Sequence, residues 1–151
     1  MDYQIDQIDR GILKFLQKDA RMAYTEIAKK LGIASGTVHL RVQRLEEAGI
    51  LLGTTVRLDN RAMGLTVTTL IGLHLRSAQD VSKVIDQLRG WHEVVEVNYT
   101  TGTYALIIKV VNEDIDAFHK FLVKKLQTIK EIQATESFVC LNQPIVRGVS
   151  I

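Results

Sequence analysis

The stretch Tyr24-Thr25-Glu26-Ile27-Ala28-Lys29-Lys30-Leu31-Gly32-Ile33-Ala34-Ser35-Gly36-Thr37-Val38-His39-Leu40-Arg41-Val42-Gln43-Arg44-Leu45 decides the reading of the first half of the chain. Ile27, Ala28 and Leu31 return at steps of one face of a helix, which predicts a helix over about 24–31. Gly32 stops it, because glycine accepts a left-handed backbone without steric cost. A second periodic run follows at once: Val38, Val42 and Leu45 share one side of a helix that starts near Ser35 and ends at Gly49. Two helices joined by Gly32-Ile33-Ala34 have the helix-turn-helix layout, whose second member enters the DNA major groove. With the apolar residues turned inward, the outer face presents Ser35, Gly36, Thr37, His39, Leu40, Arg41, Gln43 and Arg44. Arginine, glutamine, threonine and histidine can read base edges or hold phosphates. A helical hairpin with a solvated outer face is the plainer alternative. The tight turn, the absence of acids from Ala34 to Leu45 and the residues that follow favour DNA.

On the N-terminal side, Ile5, Ile8, Ile12, Leu13 and Leu16 form one apolar stripe and predict a first helix. Asp6 and Asp9 lie three apart at its start, where acids offset the helix dipole; that is a simpler role than acid–base chemistry. On the C-terminal side, Ile50 to Leu58 alternates loosely and is rich in Thr and Val, which predicts a strand. Asp59-Asn60-Arg61-Ala62-Met63-Gly64 breaks both periods. The expected organisation is a DNA-binding domain over 1–58, a linker over 59–65 and a second domain over 66–151. In that second domain, Val67–Arg76, Val94–Thr100, Tyr104–Val111 and Ile132–Leu141 read as strands. Val81, Val84, Ile85 and Leu88 mark one helix, and Ile115, Phe118, Leu122 and Leu126 another. Thr101-Gly102-Thr103 is the expected hairpin connection. The order βαββαβ is the ferredoxin-like arrangement, so the chain as a whole is expected to be α+β. That fold hosts many functions and identifies none.

Composition excludes more than it selects. The chain has 151 residues, 46% hydrophobic and 24% charged, with a net charge of +2, which is the profile of a globular protein. Residues 1–53 hold eight Lys/Arg against seven Asp/Glu, so the case for DNA rests on where the charges lie. Met1-Asp2-Tyr3-Gln4 lacks the basic start of a signal peptide, and no apolar run reaches membrane-spanning length. The single cysteine, Cys140, falls in an apolar strand and reads as an inert core thiol. A cytoplasmic protein with no membrane contact is expected. His39, His74, His92 and His119 lack ligand spacing, and no phosphate-binding loop or nucleophile elbow is present. No metal, cofactor or catalytic residue is therefore expected.

The blocks Asp6-x-x-Asp9-x-x-Ile12-Leu13-x-x-Leu16-x-x-Asp19-Ala20-Arg21, Glu26 to Gly32, Thr37 to Val42 and Ala48-Gly49-Ile50 together resemble the Lrp/AsnC family of leucine- and asparagine-responsive regulators. The similarity continues through Tyr99 to Tyr104, Ile108-Lys109-Val110 and Gln127 to Glu136, the first and last of these blocks being most similar to the asparagine-responsive branch. The resemblance implies a winged helix-turn-helix, a homodimer formed through the second domain, assembly to octamers, and a small amino acid bound between subunits. It implies an effector site at Tyr99, Thr101, Gly102, Thr103, Tyr104, Gln127, Thr128, Thr135 and Glu136, with asparagine the first candidate. Backbone N–H groups around Gly102 can approach a carboxylate, Glu136 can take the ammonium, and Gln127, Thr128 and Thr135 can bond a side-chain amide. Residue chemistry alone leaves a simple hairpin with solvated polar ends as the plainer reading.

Two departures stand out. Ala34 occupies the place of a capping serine in many relatives, which predicts a third helix starting one residue later, at a cost of about 1 kcal/mol in capping. Gly102-Thr103-Tyr104-Ala105 lacks the acids of the relatives' Gly-Asp-Tyr-Asp, so the ammonium needs a partner elsewhere. The alternative from another class is a siroheme-decarboxylase-like enzyme on the same two-domain layout. It needs acid–base residues converging on the second domain, and the scattered histidines do not supply them. An effector sensor without DNA binding is disfavoured by the basic third helix.

Overall fold

A computed structural model describes residues 3–150. Met1, Asp2 and Ile151, and the parts of the expected terminus and domain bounds that fall on them, lie outside the described residues. The chain divides into two units. One takes the chain up to Arg57 together with the end from Arg147, and the other spans Leu58–Val146.

The first unit holds three helices: α1 (Gln7–Lys18), α2 (Tyr24–Leu31) and α3 (Ser35–Glu47). Asp6 starts α1 with a reciprocal capping box, its carboxylate accepting from the Asp9 N–H while the Asp9 carboxylate accepts from the Asp6 N–H. Gly32 ends α2 at φ 66°, ψ 33°, and the Ile33 N–H returns to the Ala28 carbonyl at 3.0 Å. The stripes meet in one core of Ile12, Ile27, Ala28, Val38 and Val42, with Leu45 also fully buried. α3 begins at Ser35 with Ala34 as its cap residue and no side-chain cap bond, so the helix does not start one residue later.

The expected strand over Ile50–Leu58 is absent. Among the described residues no strand precedes Val67, and no second strand lies beside this segment. Alternation alone does not make a strand: its backbone groups need a ladder, and here Leu52, Val56 and Leu58 stand exposed. The expected linker forms a turn, with the Asp59 carboxylate accepting from the N–H groups of Arg61 and Ala62.

The second unit runs β1 (Val67–Leu75), α4 (Val81–Arg89), β2 (Val94–Tyr99), β3 (Leu106–Asn112), α5 (Ile115–Lys124) and β4 (Ile132–Val139). The strand order is β2-β3-β1-β4, every pair antiparallel, which is the ferredoxin-like sheet. Ile71 and Leu73 of β1 and Leu106, Ile108 and Val110 of β3 turn toward Val84 and Leu88 of α4 and Phe118 and Phe121 of α5. Alternation sends Leu70, Gly72 and His74 to the opposite face, beside Phe138, Glu136 and Ala134 of β4. The connection between β2 and β3 runs from Thr100 to Ala105, longer than the expected three-residue hairpin. Leu126 falls in a short 3-10 turn after α5 rather than in the helix. Cys140 is half-buried just past β4, an edge strand that is mostly exposed, and not inside a core strand.

Candidate DNA-binding face and effector hollow

At 100° per residue, the core side of α3 is fixed by Val38, Val42 and Leu45, and Gly36, Leu40, Gln43 and Arg44 fall opposite. Leu40 is exposed, as are Ser35, Gly36, His39, Gln43 and Arg44, while Thr37 is half-buried. The His39 ring packs edge-on against Tyr24 at 4.6 Å, which steadies it on the outer side of α3. Gln43 Nε2 donates to Glu47 within the helix at 2.8 Å. Gly36 has nothing within 4 Å of where a Cβ would sit. A glycine inside a helix costs about 0.5–1 kcal/mol relative to alanine, and neither packing nor a left-handed backbone requires this one. The uncapped first turn of α3 also leaves backbone N–H groups for an anion.

Arg41 departs from the expected set. It lies between the core side and the outer face, and its Nη1 donates to Asp6 Oδ2 at 2.7 Å and Asp9 Oδ1 at 2.8 Å. Asp9 is 1% exposed and also accepts from the Tyr3 hydroxyl at 3.1 Å. The Asp9 N–H and then Arg41 hold the Asp6 carboxyl below its ordinary pKa, and the same two acids raise that of Arg41. The acids read as dipole partners of α1 are thus also the counter-charge of α3.

The nine residues expected to form one effector site are divided by the structure. Tyr99, Gly102 and Thr103 line a hollow of about 330 Å³ with His74, Leu75, Ala78 and Gln133. Thr101 is exposed in the same loop but does not line it. Gln127 and Thr128 lie exposed in the 3-10 turn, and Thr128 borders a different surface depression with Lys83, Gln87 and Glu131. Thr135 and Glu136 are consecutive on β4 and therefore point to opposite faces of the sheet; Thr135 pairs with core-facing Leu73 and Glu136 with Gly72. That alternation was present in the sequence, and it keeps the two apart within a single copy of the chain.

Tyr104 crosses the open face. Its ring lies over Gly72 and beside His74, with ring centroids 5.0 Å apart, and its hydroxyl donates to Glu136 Oε2. This bond raises the pKa of the Tyr104 hydroxyl. No carboxylate lines the hollow, so Glu136 is not placed to receive an ammonium there. His74 and Gln133 border the hollow without having been singled out from the sequence. His74 shares the open-face phase of β1 with Leu70 and Gly72, whereas Gln133 lies beside the register shift between β1 and β4, which alternation does not show. Gly102 has open space around its missing Cβ and no left-handed φ. Among the described residues, no three His, Cys, Asp or Glu side chains gather as metal ligands, and no helix is long and apolar enough to cross a membrane.

Residues 5–51 match the family model described as winged helix-turn-helix DNA-binding, and residues 66–149 match that described as Lrp/AsnC ligand binding domain. Regulatory protein AsnC of Haemophilus influenzae is 44% identical, covering 97% of this chain and 98% of its own length. Regulatory protein AsnC of Escherichia coli K12 is 43% identical, covering 98% of this chain and 97% of its own length. The solved structure of E. coli AsnC superposes with a TM-score of 0.94 at 42% identity, covering 99% of this chain and all of that one. A transcriptional regulator from Neisseria meningitidis, solved as a complex with L-Met, shares the fold at a TM-score of 0.89 and 23% identity, covering 98% of this chain and 96% of that one. With a helix-turn-helix in its first unit, a ferredoxin-like sheet in its second, and such relatives along nearly its whole length, the chain belongs to the amino-acid-responsive Lrp/AsnC family of DNA-binding transcription regulators.

Proposed function

We propose that the chain reads a specific operator with the outer face of α3 and changes affinity or assembly when a small amino acid, asparagine first, enters the hollow beside Gly102. The reading is carried by one observation: Gly36 and Gly102 both lack a side chain where neither backbone nor packing demands it. What remains is access, of a DNA backbone to α3 and of a carboxylate to the N–H groups of residues 101–103. Ser35, Thr37, His39, Leu40, Gln43 and Arg44 supply base and phosphate contacts. Gln133 takes over the amide-reading role expected of Gln127, because it lines the hollow. The ammonium then needs a carboxylate from a second copy of the chain. A dimer through the open sheet face, where Leu70 and Phe138 are exposed side by side, fits that need, and octamers extend it. The protein acts in the cytoplasm, has no enzymatic activity and takes no cofactor besides the effector.

Calorimetric titration of the full chain with each of the twenty amino acids tests the sensing half. Asparagine should bind and leucine should not, since leucine leaves polar groups of the hollow unpaired. Gly102→Val should abolish the heat while changing stability by no more than about 0.5 kcal/mol. Binding of leucine or methionine with a flat asparagine isotherm refutes the ligand. Twenty flat isotherms refute the sensing role.

A further inference from the structure

The arginine of α3 that looks most like a base reader has its charge already spent. Arg41 Nη1 is shared between Asp6 and Asp9, and the second oxygen of Asp9 holds the Tyr3 hydroxyl and the Asp6 N–H, both at 3.1 Å. Asp6 in turn accepts from the Asp9 N–H at 2.8 Å, so the capped start of α1 and the middle of α3 are closed into one cluster. Moving the guanidinium onto DNA leaves the Asp9 carboxylate, 1% exposed, without its counter-charge; breaking such a pair costs more than one base contact returns. α1 and α3 also share an apolar core that includes Ile12, Val38 and Val42, and non-directional burial of this kind resists separation but not a small roll of one helix on another. A charge-assisted bond to two acids fixed by their own cap geometry is directional.

We infer that Arg41 is a positioning residue: it sets the roll of the recognition helix against the start of α1, and it touches neither base nor phosphate. A readout surface tolerates only about 10–20° of misorientation, so loss of the tie degrades every contact of α3 at once rather than one of them. The inference rests on α3 being the helix that enters the groove.

The test uses the full chain and a duplex selected by the wild-type protein from a random-sequence library. Binding is measured at several salt concentrations, well below each variant's unfolding midpoint as followed by circular dichroism. Asp9→Asn removes a negative charge near the phosphates, and charge alone demands tighter binding; positioning demands the reverse, a loss of roughly tenfold. Arg41→Ala should lose a similar factor, spread evenly over the base pairs of the site, with the salt slope unchanged within about half a unit. The double variant should bind no worse than Arg41→Ala, and Arg41→Lys should recover part of the loss by reaching one of the two acids. Asp6→Asn, exposed and milder, serves if Asp9→Asn fails to fold. Tighter binding by the aspartate variants, a salt slope smaller by about one in Arg41→Ala, or selectivity lost at a single base pair overturns the inference. His39→Ala and Arg44→Ala test the groove assignment separately; if both bind as the wild type does, that assignment falls and the inference with it.

Discussion

A methyl group on Gly72 would collide with the Tyr104 ring, which makes Gly72→Ala a quantitative test of the strut across the open sheet face. A Cβ built there lies 2.5 Å from Tyr104 Cδ1, 2.6 Å from Cγ and 2.7 Å from Cε1. These atoms are the root and edge of the ring, so the whole side chain must retreat by about 1 Å, and its bond to Glu136 is lost with it. Overpacking of this kind costs about 1–3 kcal/mol, and replacing a glycine in an extended strand returns about 0.4–1 kcal/mol. The net expectation is a loss of ~1–2 kcal/mol, or a fall of roughly 5–10 °C in the midpoint of the second unit, measured by differential scanning calorimetry. Tyr104→Ala removes the obstacle, so adding Gly72→Ala to it should cost nothing or stabilise. The two changes should therefore show a coupling of about 1–3 kcal/mol, the size of the overpacking itself. Equal destabilisation by Gly72→Ala in both backgrounds, or stabilisation by it alone, refutes the reasoning.

Three further outcomes follow. Gly36→Ala should raise the stability of the first unit by about 0.5–1 kcal/mol and still weaken DNA binding, as thermal melts and gel-shift titrations will read; unchanged binding removes the close-approach argument. Burial raises the pKa of Glu93, but bonds from Lys125 Nζ at 2.5 Å and from its own N–H outweigh this and hold the carboxyl below the usual 4.5. A depressed carboxylate stabilises the fold above its unfolded pKa and loses that contribution as pH falls through the folded value, so Glu93→Gln should flatten the acid limb of stability below about pH 4.5; an unchanged limb counts against the pair. Leu70→Glu with Phe138→Glu should shift sedimentation of the full chain toward monomer, whereas an unaltered assembly places the interface elsewhere.

The elements that the sequence made legible are those where one period has one meaning. Ile27, Ala28 and Leu31 and then Val38, Val42 and Leu45 gave two helix faces, and the order of six further segments gave the ferredoxin-like sheet. The segment 50–58 failed because alternation is necessary for a strand but a partner must also exist. The bonds of Arg41 to α1 were not legible, because helical phase fixes where a Cα lies and not where six further bonds carry the guanidinium; its acids sit 32 and 35 residues earlier. Tyr104 was read as the first residue of a strand, yet its role is set by Gly72 and Glu136 at equally long separations. The split of Thr135 from Glu136 is a different case, since a period of two on β4 already forbade a shared face.

The engagement of Arg41 with α1 also bears on how a regulator of this kind changes its targets over evolutionary time. If one residue of α3 is committed to holding the helix, the side chains that choose DNA are freed from holding it. Ser35, His39, Gln43 and Arg44 are all exposed, and none belongs to the buried cluster. A lineage can therefore exchange them one at a time and drift to a new operator through intermediates that all still fold. Arg41, Asp6 and Asp9 have no such freedom, because each step away from that trio exposes the others to the loss of their partner.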